Sequence, residues 1–394
     1  MRVVFGALLL SVCLFVPFSA SQTSTKDSKA GPTTVGGKTI TQWKLDLTAP
    51  DPSRRAEAVI AITRFGDANA ECVLPLIKVT HDADVSPRVR AVIALRMIAV
   101  DQKNLVKVIE ALAARLNSGT ESEAVVRLEA VVSLKRFVGE PALEAAVSGL
   151  IKGTLDKRSW EIRYHCVSTL WRVGRAQKPD TAPAIYEALL SRLTNPTWDP
   201  THLVQMEAIK GLGALGKPSS PVLLIKVVTT LSAITREKNE VRAIWAYSAL
   251  AGMQEGKVAE GSLLKITKFL KNDTLKTRIE AANSLGWLGS RAKSRVPMLI
   301  AMLGDSEEDA VWAACNALGD IGEAKDDVVD ALLKLLAHKE PSRAAAAVTG
   351  LVNLRVNTTR VMGTFEKMRE NKDVDLKLRG YIEQAIDLLK KQKK

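Results

Sequence analysis

The residues able to do acid–base or metal chemistry are few in this chain, and they are scattered. Its histidines stand at His81, His165, His202 and His338, and none is spaced from another histidine or a cysteine as zinc ligands are. His165 precedes Cys166, but adjacent residues point to different sides of a helix, so the two are not arranged for nucleophilic catalysis. No phosphate-cradling glycine loop, nucleophile elbow or zinc-protease motif occurs. The residue types therefore predict no catalytic site, no metal site and no cofactor.

The densest group of carboxylates lies at residues 305–309, which read Asp-Ser-Glu-Glu-Asp. A hard-cation site is one interpretation, but the segment lacks the alternating oxygen ligands and the turn glycine of a calcium loop. Acidic residues at the start of a helix also interact favourably with the helix dipole. We therefore expect a capping turn.

A recurring lysine is the first candidate for a binding surface. It follows an apolar pair in the second helix of several predicted helical pairs, as in Leu76-Ile77-Lys78. The predicted partner-binding lysines are Lys78, Lys152, Lys226, Lys265, Lys268 and Lys334. Stacked helical units would place them in an interrupted basic ladder. The alternative is that these lysines only keep a helix face soluble.

A tryptophan in an insertion is the second candidate. Trp198 lies in the stretch Thr194-Asn195-Pro196-Thr197-Trp198-Asp199-Pro200, within the longest gap between repeats. Loops carry function more often than core helices, and tryptophan is favoured at binding hot spots. Trp198 is therefore the predicted apolar anchor for a partner. Covering the joint left by the insertion is the alternative role.

The elements that would carry these residues are repeated helical pairs. Around an anchor at Leu285, arginine stands seven residues earlier, and the glycine four residues later is expected to end the first helix. Prolines such as Pro183 and Pro221 are expected at the start of second helices. Related copies are centred on Ile62, Met97, Leu134, Leu170, Leu212, Ala249, Leu318 and Leu351. The anchors lie 33 to 42 residues apart, so about nine units fill the chain. Because one helical pair cannot bury both of its apolar faces, the units must stack into a continuous all-α solenoid.

Each end of the array needs a polar cap. The segment from Gly37 to Leu45 predicts an N-terminal capping helix that docks Trp43, and the last helix ends in a basic tail. We divide the chain into a signal peptide at residues 1–21, a flexible linker at 22–37, the solenoid at 38–390 and a basic tail at 391–394.

The N-terminus has the features of an export signal. Arg2 precedes the apolar run Val3–Val16, and cleavage is expected after Ala20 or Ser21. The predicted location is periplasmic or secreted; the alternative is a membrane tether through an uncleaved signal or a lipid on Cys13. The full chain carries a net charge of +13, and the mature chain +12 once Arg2 is lost, which favours acidic partners or anionic surfaces.

Three cysteines would remain in the mature chain, namely Cys72, Cys166 and Cys315. An odd number of widely spread cysteines is not a disulfide framework. We expect each of them to act as a small buried apolar side chain.

The pattern Arg-x-x-Ala-Ala-x-x-Leu-Gly, followed by Val-Pro-x-Leu-Ile, resembles the HEAT repeat, including the short bacterial type found in phycobilisome lyases. The resemblance covers about residues 37–390 and implies a right-handed α-solenoid of about nine helical hairpins with terminal capping helices. It further implies that the second helices, with their lysines, line the concave face. The opening segment is also similar to secreted bacterial HEAT proteins of unknown role.

This resemblance is specific for fold and much less so for function, because HEAT arrays mostly act as adaptable binding scaffolds. It predicts a non-catalytic scaffold of the cell envelope that binds an acidic protein along its concave face. One alternative is a binder of an acidic polymer, such as a glycan, a cell-wall polymer or a nucleic acid. Another is an enzyme subunit like the HEAT-type lyases that handle bilins. Neither a small-molecule substrate nor stable membrane insertion after signal cleavage is expected.

Overall fold

The computed structural model describes residues 31–98, 100–176, 182–194, 202–356 and 358–391. The predicted signal peptide, linker residues 22–30, tail residues 392–394 and Trp198 lie outside the described residues. In the described part the chain is all α-helix and 3-10 helix, apart from one isolated bridge between Val35 and Lys38. None of the helices in this part is both long and apolar enough to cross a membrane.

The helices form two layers that alternate along the chain. The first layer holds the first helix of each pair: α2 (Pro52–Ile62), α4 (Val85–Met97), α6 (Ala124–Leu134), α8 (Trp160–Ala176), α10 (Leu203–Leu215), α12 (Glu240–Met253), α14 (Leu275–Leu288), α16 (Glu308–Ile321) and α18 (Pro341–Asn353). The second layer holds α3 (Val73–Val79), α5 (Gln102–Ala114), α7 (Val147–Gly153), α9 (Pro183–Thr194), α11 (Pro221–Ile234), α13 (Gly256–Phe269), α15 (Val296–Met302), α17 (Asp326–Leu336) and α19 (Thr359–Glu370). These nine pairs, counted over the described ranges, agree with the predicted number of repeats.

Within several pairs, short 3-10 helices connect the first helix to the second. They lie at Gly66–Cys72, Lys135–Phe137, Pro141–Ala146 and Gly289–Arg295. Glycine ends many of the first helices, as predicted. Gly216 and Gly322 have φ angles of 79° and 73°, a region that disfavours any side chain and that satisfies the last helical turn. Proline opens α9 and α11, where the missing amide hydrogen has no helical partner to lose.

The N-terminal cap is a helix with a folded-back segment before it. In α1 (Ile40–Asp46), Trp43 is buried, and its indole N–H donates to the Val35 carbonyl oxygen over 2.8 Å. The Lys38 ammonium lies 4.3 Å from the Trp43 ring centroid and 2.7 Å from an Asp46 carboxylate oxygen. The predicted capping helix with its docked Trp43 is thus present. The described end of the predicted linker lies against it.

The C-terminal helix α20 (Leu376–Lys391) closes the other end of the array. It packs against α18 and α19 and presents lysines in its last turn. Its apolar side, which includes Leu378, Ile382 and Ile386, is buried against these two helices. The opposite side is polar, as a terminal cap requires.

Arginine–carboxylate pairs connect successive repeats. The Arg278 guanidinium donates to both Asp305 carboxylate oxygens over 2.8 and 3.0 Å, and also to the Asn272 carbonyl oxygen. Arg127 and Asp156 form a pair of the same kind at 2.6 Å with both side chains buried. The acidic segment at 305–309 is therefore part of a turn that holds two repeats together. This agrees with the predicted capping role.

The predicted register of the second repeat is wrong by two residues. Met97 was the expected anchor, yet its side chain is 63% exposed, whereas Leu95 is fully buried. Arg88, and not Arg90, takes the pairing position and binds Glu121 over 3.0 and 3.1 Å. Arg and apolar residues recur closely in this helix, so the sequence offers two registers; burial selects the one with Leu95 inside.

Gly174 was predicted to end its helix, but it lies inside α8. A Cβ at this position would come within 2.6 Å of a Leu215 methyl group. This glycine therefore allows α8 and α10 to approach each other, and does not act as a C-cap.

Close approach is a general property of the first layer. A Cβ on Gly286 would lie 2.9 Å from the Ala317 Cα, and one on Gly213 would lie 2.8 Å from the Ala249 Cα. In contrast, the second-layer helices α11 and α13 make no extended contact with each other, although they are as long as α12 and α14. An array that is more closely spaced in one layer curves toward that layer. The first helices therefore line the inner side of the curve, which differs from the expectation that the second helices would do so.

Candidate functional site

The six predicted lysines are all exposed and all lie in the second layer. Lys78 is on α3, Lys152 on α7, Lys226 on α11 and Lys334 on α17, while α13 carries both Lys265 and Lys268. Because that layer is the more widely spaced one, the lysines lie on the outer side of the array and not in its groove. The second predicted feature, Trp198, lies outside the described residues.

Acidic side chains interrupt the lysine row. Lys226 forms an ion pair with Glu187 of the neighbouring helix α9. Lys334 shares α17 with Asp326, Asp327 and Asp330, whereas α15 contributes no lysine at all. The structure therefore brings together only Lys265 and Lys268, which are one helical turn apart, with Lys226 on the preceding second-layer helix.

The three cysteines are poorly suited to act as nucleophiles. Cys72, Cys166 and Cys315 are free and fully buried, as expected of small core side chains. Burial raises the pKa of Cys72 to about 11 and that of Cys315 to about 12, and it raises the pKa of Cys166 as well, so the thiols stay protonated.

The histidine beside Cys166 contacts Lys135 and Tyr164. Burial and the Lys135 ammonium, 3.3 Å away, hold the pKa of His165 below its ordinary range. Within the described ranges, no three histidine, cysteine, aspartate or glutamate side chains are grouped so as to hold a metal ion.

A different surface becomes apparent on the first helices. Counted from the buried anchor of each repeat, the positions six and two residues earlier are mostly half-buried. Polar residues interrupt these positions at Ser168, Lys210, Asn283, Asn316 and Thr349. The large apolar and aromatic side chains at them are Ile60, Val89, Ile93, Leu128, Val132, Tyr164, Met206, Tyr247, Ile279 and Trp312. We call this surface, together with its half-buried neighbour Trp287, the inner face; Trp171 and Trp245 of the same helix layer are buried. It is shaped by the same helical spacing that buries the anchors on the opposite side.

Indole hydrogen bonds connect the aromatic residues of the first layer to the next helix. The Trp171 N–H donates to Glu207 over 2.9 Å, and the Trp245 N–H donates to Glu280 over 2.9 Å. Trp312 makes the corresponding bond to Ser342 over 3.3 Å. Since each bond spans two repeats, these rings are held in fixed positions.

Stacking adds a further constraint on the central rings. Trp287 meets Trp245 edge to face, with ring centroids 6.0 Å apart. The Lys210 ammonium lies 3.9 Å from the Trp245 ring centroid, and the Arg172 guanidinium lies 4.1 Å from that of Trp171. Trp171 and Trp245 are only 5% and 3% exposed, so they hold neighbouring first helices together, and Trp287 and Trp312 are the half-buried tryptophans of the inner face.

The N-terminal part of the inner face is basic. Arg64 and Arg90 are exposed and have no carboxylate partner in the described part of the chain. Arg96 pairs with Glu129 at 3.4 Å, and Arg136 donates to the Ile98 carbonyl oxygen over 3.1 Å. This part therefore combines half-buried apolar side chains with unpaired positive charge, which suits an acidic partner that also has apolar side chains.

The sequence interpretation missed this inner face, although its signal is present. The aromatic and arginine residues stand at different positions in different repeats. No single position of the repeat therefore carries the same residue type throughout. The lysine after the apolar pair does recur at one position, and it drew attention to the outer layer. Comparing positions six and two residues before each anchor would have revealed the inner face.

Comparison with known proteins places the fold. Residues 263–351 match the family model described as HEAT repeats. No curated protein sequence matches this chain. The predicted HEAT-type repeats and the all-α solenoid are thereby confirmed.

Three of the solved structures similar to this chain are of longer proteins. Yeast importin-beta, Kap95p, superposes with a TM-score of 0.59 at 13% identity, over 89% of this chain and 51% of that one. Kap95p in a structure with RanGDP gives a TM-score of 0.56 at 14% identity, over 89% and 50% of the two chains. Importin beta in an ammonium sulfate condition gives 0.53 at 14% identity, over 90% and 57%. This chain thus spans about half the length of these proteins. At such identities the likeness shows the fold alone.

Proposed function

We propose that this HEAT-repeat protein is a non-catalytic scaffold that binds an acidic segment of another protein along its inner face. The observation that carries the proposal is the row of tryptophan, tyrosine and arginine side chains on the closely spaced first helices. These three residue types dominate binding hot spots. An array of stacked pairs also offers a long surface on which an extended partner can lie.

The fixed geometry of the rings favours binding. Trp312, which is bonded to Ser342, and Trp287, which packs edge to face on the buried Trp245, lose little conformational freedom when a partner covers them. Binding is stronger when this entropy has already been lost in the free protein. The indole N–H of Trp287 has no partner among the described residues, so it is available to a carbonyl or carboxylate of the bound segment.

The similar solenoids support a protein as the class of partner. Kap95p is described as binding RanGDP, and a second structure holds Kap95 with Nup1. The present chain spans about half the length of Kap95p, so the partners of Kap95p are not carried over to it. What transfers is the mode, in which a macromolecule is bound along a helical array.

The location that we propose is outside the cytoplasm, on the basis of the N-terminal signal. N-terminal sequencing of the protein recovered from its source cells tests this directly. Ser21 or Gln22 is expected as the first residue, whereas an intact Met1 at the start would contradict cleavage.

The second candidate function is binding of an acidic polymer through the outer layer. Lys78, Lys152, Lys265, Lys268 and Lys334 are exposed and have no carboxylate partner within the described ranges. Such a row attracts a polyanion without specific recognition, and its binding would weaken steeply with salt. In this second candidate function, the predicted lysines contact the polymer and the inner face has no role in binding.

Two charge-reversal variants distinguish the candidates. In Arg64→Glu/Arg90→Glu the change is on the inner face, and in Lys78→Glu/Lys152→Glu it is in the outer layer. Both pairs are exposed and change the net charge equally, so a general charge effect would appear in both. The measurement is quantitative affinity capture from cell-envelope extract at several salt concentrations.

The inner-face proposal predicts one partner protein that the lysine variant retains and the arginine variant loses by about tenfold or more. Retention by the arginine variant with loss by the lysine variant would contradict it. That result, with release at moderate salt and no discrete protein, would favour the acidic polymer.

A further inference from the structure

A row of arginines lies at or just after the ends of the first helices in the first four repeats. Because a helix turns by about 100° per residue, the position two residues after each buried anchor points away from that anchor, toward the inner face. This position is arginine in the first, third and fourth repeats, and in the second repeat Arg96 stands one residue before it. Arg175 lies about one turn after Arg172 on α8. We call these side chains the arginine row: Arg64, Arg96, Arg136, Arg172 and Arg175.

The members of the arginine row follow one another from repeat to repeat. The Arg136 guanidinium reaches back to the end of α4, where it donates to the Arg96 carbonyl oxygen and, over 3.1 Å, to the Ile98 carbonyl oxygen. Helices α2, α4, α6 and α8 pack successively on each other. Since packed helices lie about 8–10 Å apart, the row offers positive charge at intervals of about 10 Å over about 30 Å.

This positive charge is mostly not neutralised within the protein. Arg64, Arg136 and Arg175 are exposed and have no carboxylate partner in the described part of the chain. Arg96 and Arg172 are half-buried and lie 3.4 and 3.5 Å from a carboxylate oxygen. The exposed members of the row are therefore available to carboxylates of a partner.

The needs of the helix ends do not explain the row. A cation near the last turn of a helix does interact favourably with the helix dipole. However, the equivalent position carries no cation in the next five repeats, where it is occupied by Ala214, Ala251, Trp287, Asp320 and Asn353. The helices of this array thus end without an arginine there, and the row is confined to the N-terminal part of the inner face.

Aliphatic side chains accompany the arginine row. Ile60, Ile93 and Val132 are half-buried and stand two residues before their anchors. They lie about one turn before the arginines, and residues four apart are neighbours on the surface of a helix. A segment lying along these repeats would therefore contact guanidinium groups on one side and apolar surface on the other.

We infer that the arginine row binds a segment of the partner protein in the extended polyproline II conformation, with a carboxylate at every third residue. This conformation has three residues per turn and rises about 3.1 Å per residue, so every third side chain points the same way at intervals of about 9 Å. That interval matches the spacing of packed helices. In a β-strand, by contrast, side chains three residues apart point to opposite faces. The inference rests on the proposed function and specifies the chemistry of the bound segment.

A display library of random twelve-residue peptides tests the inference. The peptides are selected against the mature chain and counter-selected against the variant Arg64→Gln/Arg175→Gln. A matched control, Lys78→Gln/Lys152→Gln, removes the same charge from the outer layer. Because all four side chains are exposed, both variants are expected to fold, which circular dichroism and the unfolding midpoint verify.

The expected result is enrichment of peptides in which aspartate or glutamate recurs at every third residue. Their affinity, measured by fluorescence anisotropy, should fall about tenfold in the arginine variant and stay unchanged in the lysine variant. Isomers of the same composition, with the acidic residues moved to every second or every fourth position, should also bind about tenfold more weakly. Selected peptides without the three-residue period, equal affinity of the isomers, or equal loss in both variants overturns the inference.

Heparin, used as a second probe, distinguishes an acidic polymer from an acidic peptide. Heparin binding that is lost in the arginine variant, together with peptides that show no spacing, would assign the row to a polymer and overturn the inference.

Capture from cell-envelope extract separates this inference from the proposed function. If the arginine variant retains a partner protein that crosslinks to the inner face, the arginine row is not its binding site, while the proposed function stands. If the wild type captures no such protein but selects peptides with the three-residue period, the proposed function fails and the recognition of acidic segments remains.

Discussion

At the residue scale, the buried pair of Arg127 and Asp156 is the interaction that we expect to matter most for stability. Its 2.6 Å bond lies between two side chains with almost no exposure. Replacing Arg127 by Met would leave a buried carboxylate without its partner. We predict that Arg127→Met lowers the free energy of unfolding by about 3–5 kcal/mol at pH 7. Urea unfolding followed by circular dichroism measures this change.

The matched control is Arg90→Met, because Arg90 is exposed and has no partner in the described part of the chain. Its effect should stay within about 0.5 kcal/mol. Equal effects of the two substitutions would mean that the buried pair does not stabilise the array.

The same pairs fix the direction of the pH dependence. Hydrogen bonds from Arg55 hold the pKa of Asp82 below its ordinary value of 3.8. Burial opposes the corresponding shift at Asp156 and Asp305, but Arg127 and Arg278 keep their pKa values low as well. A carboxylate with a lowered pKa in the folded state contributes its stability above the unfolded value and loses it as the pH falls. The carboxylates should therefore contribute their full stability down to about pH 5 and lose it below about pH 4. His81 and His165, whose pKa values burial holds below the ordinary 6.5, should already lower the stability as the pH falls below about 6.5, because the unfolded chain is protonated there first.

At the scale of the helix, substitutions at two glycines distinguish the effect of close helix–helix packing from the effect of helix propensity. A Cβ on Gly286 in α14 would lie 2.9 Å from the Ala317 Cα, whereas one on Gly261 in α13 would meet nothing within 4 Å. We predict that Gly286→Ala destabilises the protein by about 1–3 kcal/mol, because the helix backbones must separate. Gly261→Ala should stabilise it by about 0.5–1 kcal/mol through helix propensity alone.

Thermal and urea unfolding of these two variants test whether close helix contact defines the first layer. If Gly286→Ala were neutral or stabilising, the first helices would not be in tight contact. The inner side of the array would then need to be assigned anew.

Element boundaries were predictable wherever a strong local signal stood alone. Trp43 predicted the N-terminal capping helix, and the prolines at the starts of α9 and α11 predicted second helices. The prediction failed where one signal had two physical explanations. Gly174 was expected to end a helix and instead permits close packing, and Met97 competed with Leu95 for the anchor position. Only tertiary contacts distinguish such alternatives.

At the scale of the whole molecule, the number of repeats and the all-α solenoid were predictable because periodic burial specifies them. Which layer lies on the inner side was not predictable, since it depends on the distance between successive helices. That distance is set by small residues such as Gly213, Gly286 and Ala317, whose packing partners lie in other repeats. The candidate surface moved from the lysines to the inner face for this reason.

The central claim is that a partner protein lies on the inner face, and site-specific photo-crosslinking in the source cells tests it most directly. A photoreactive phenylalanine replaces exposed Asn283 on α14 of the inner face, and in a matched strain it replaces exposed Lys152 on α7 of the outer layer. If the partner protein lies on the inner face, a discrete crosslinked protein is expected from position 283 and none from position 152. A discrete product from position 152 alone, or from neither position, would contradict it.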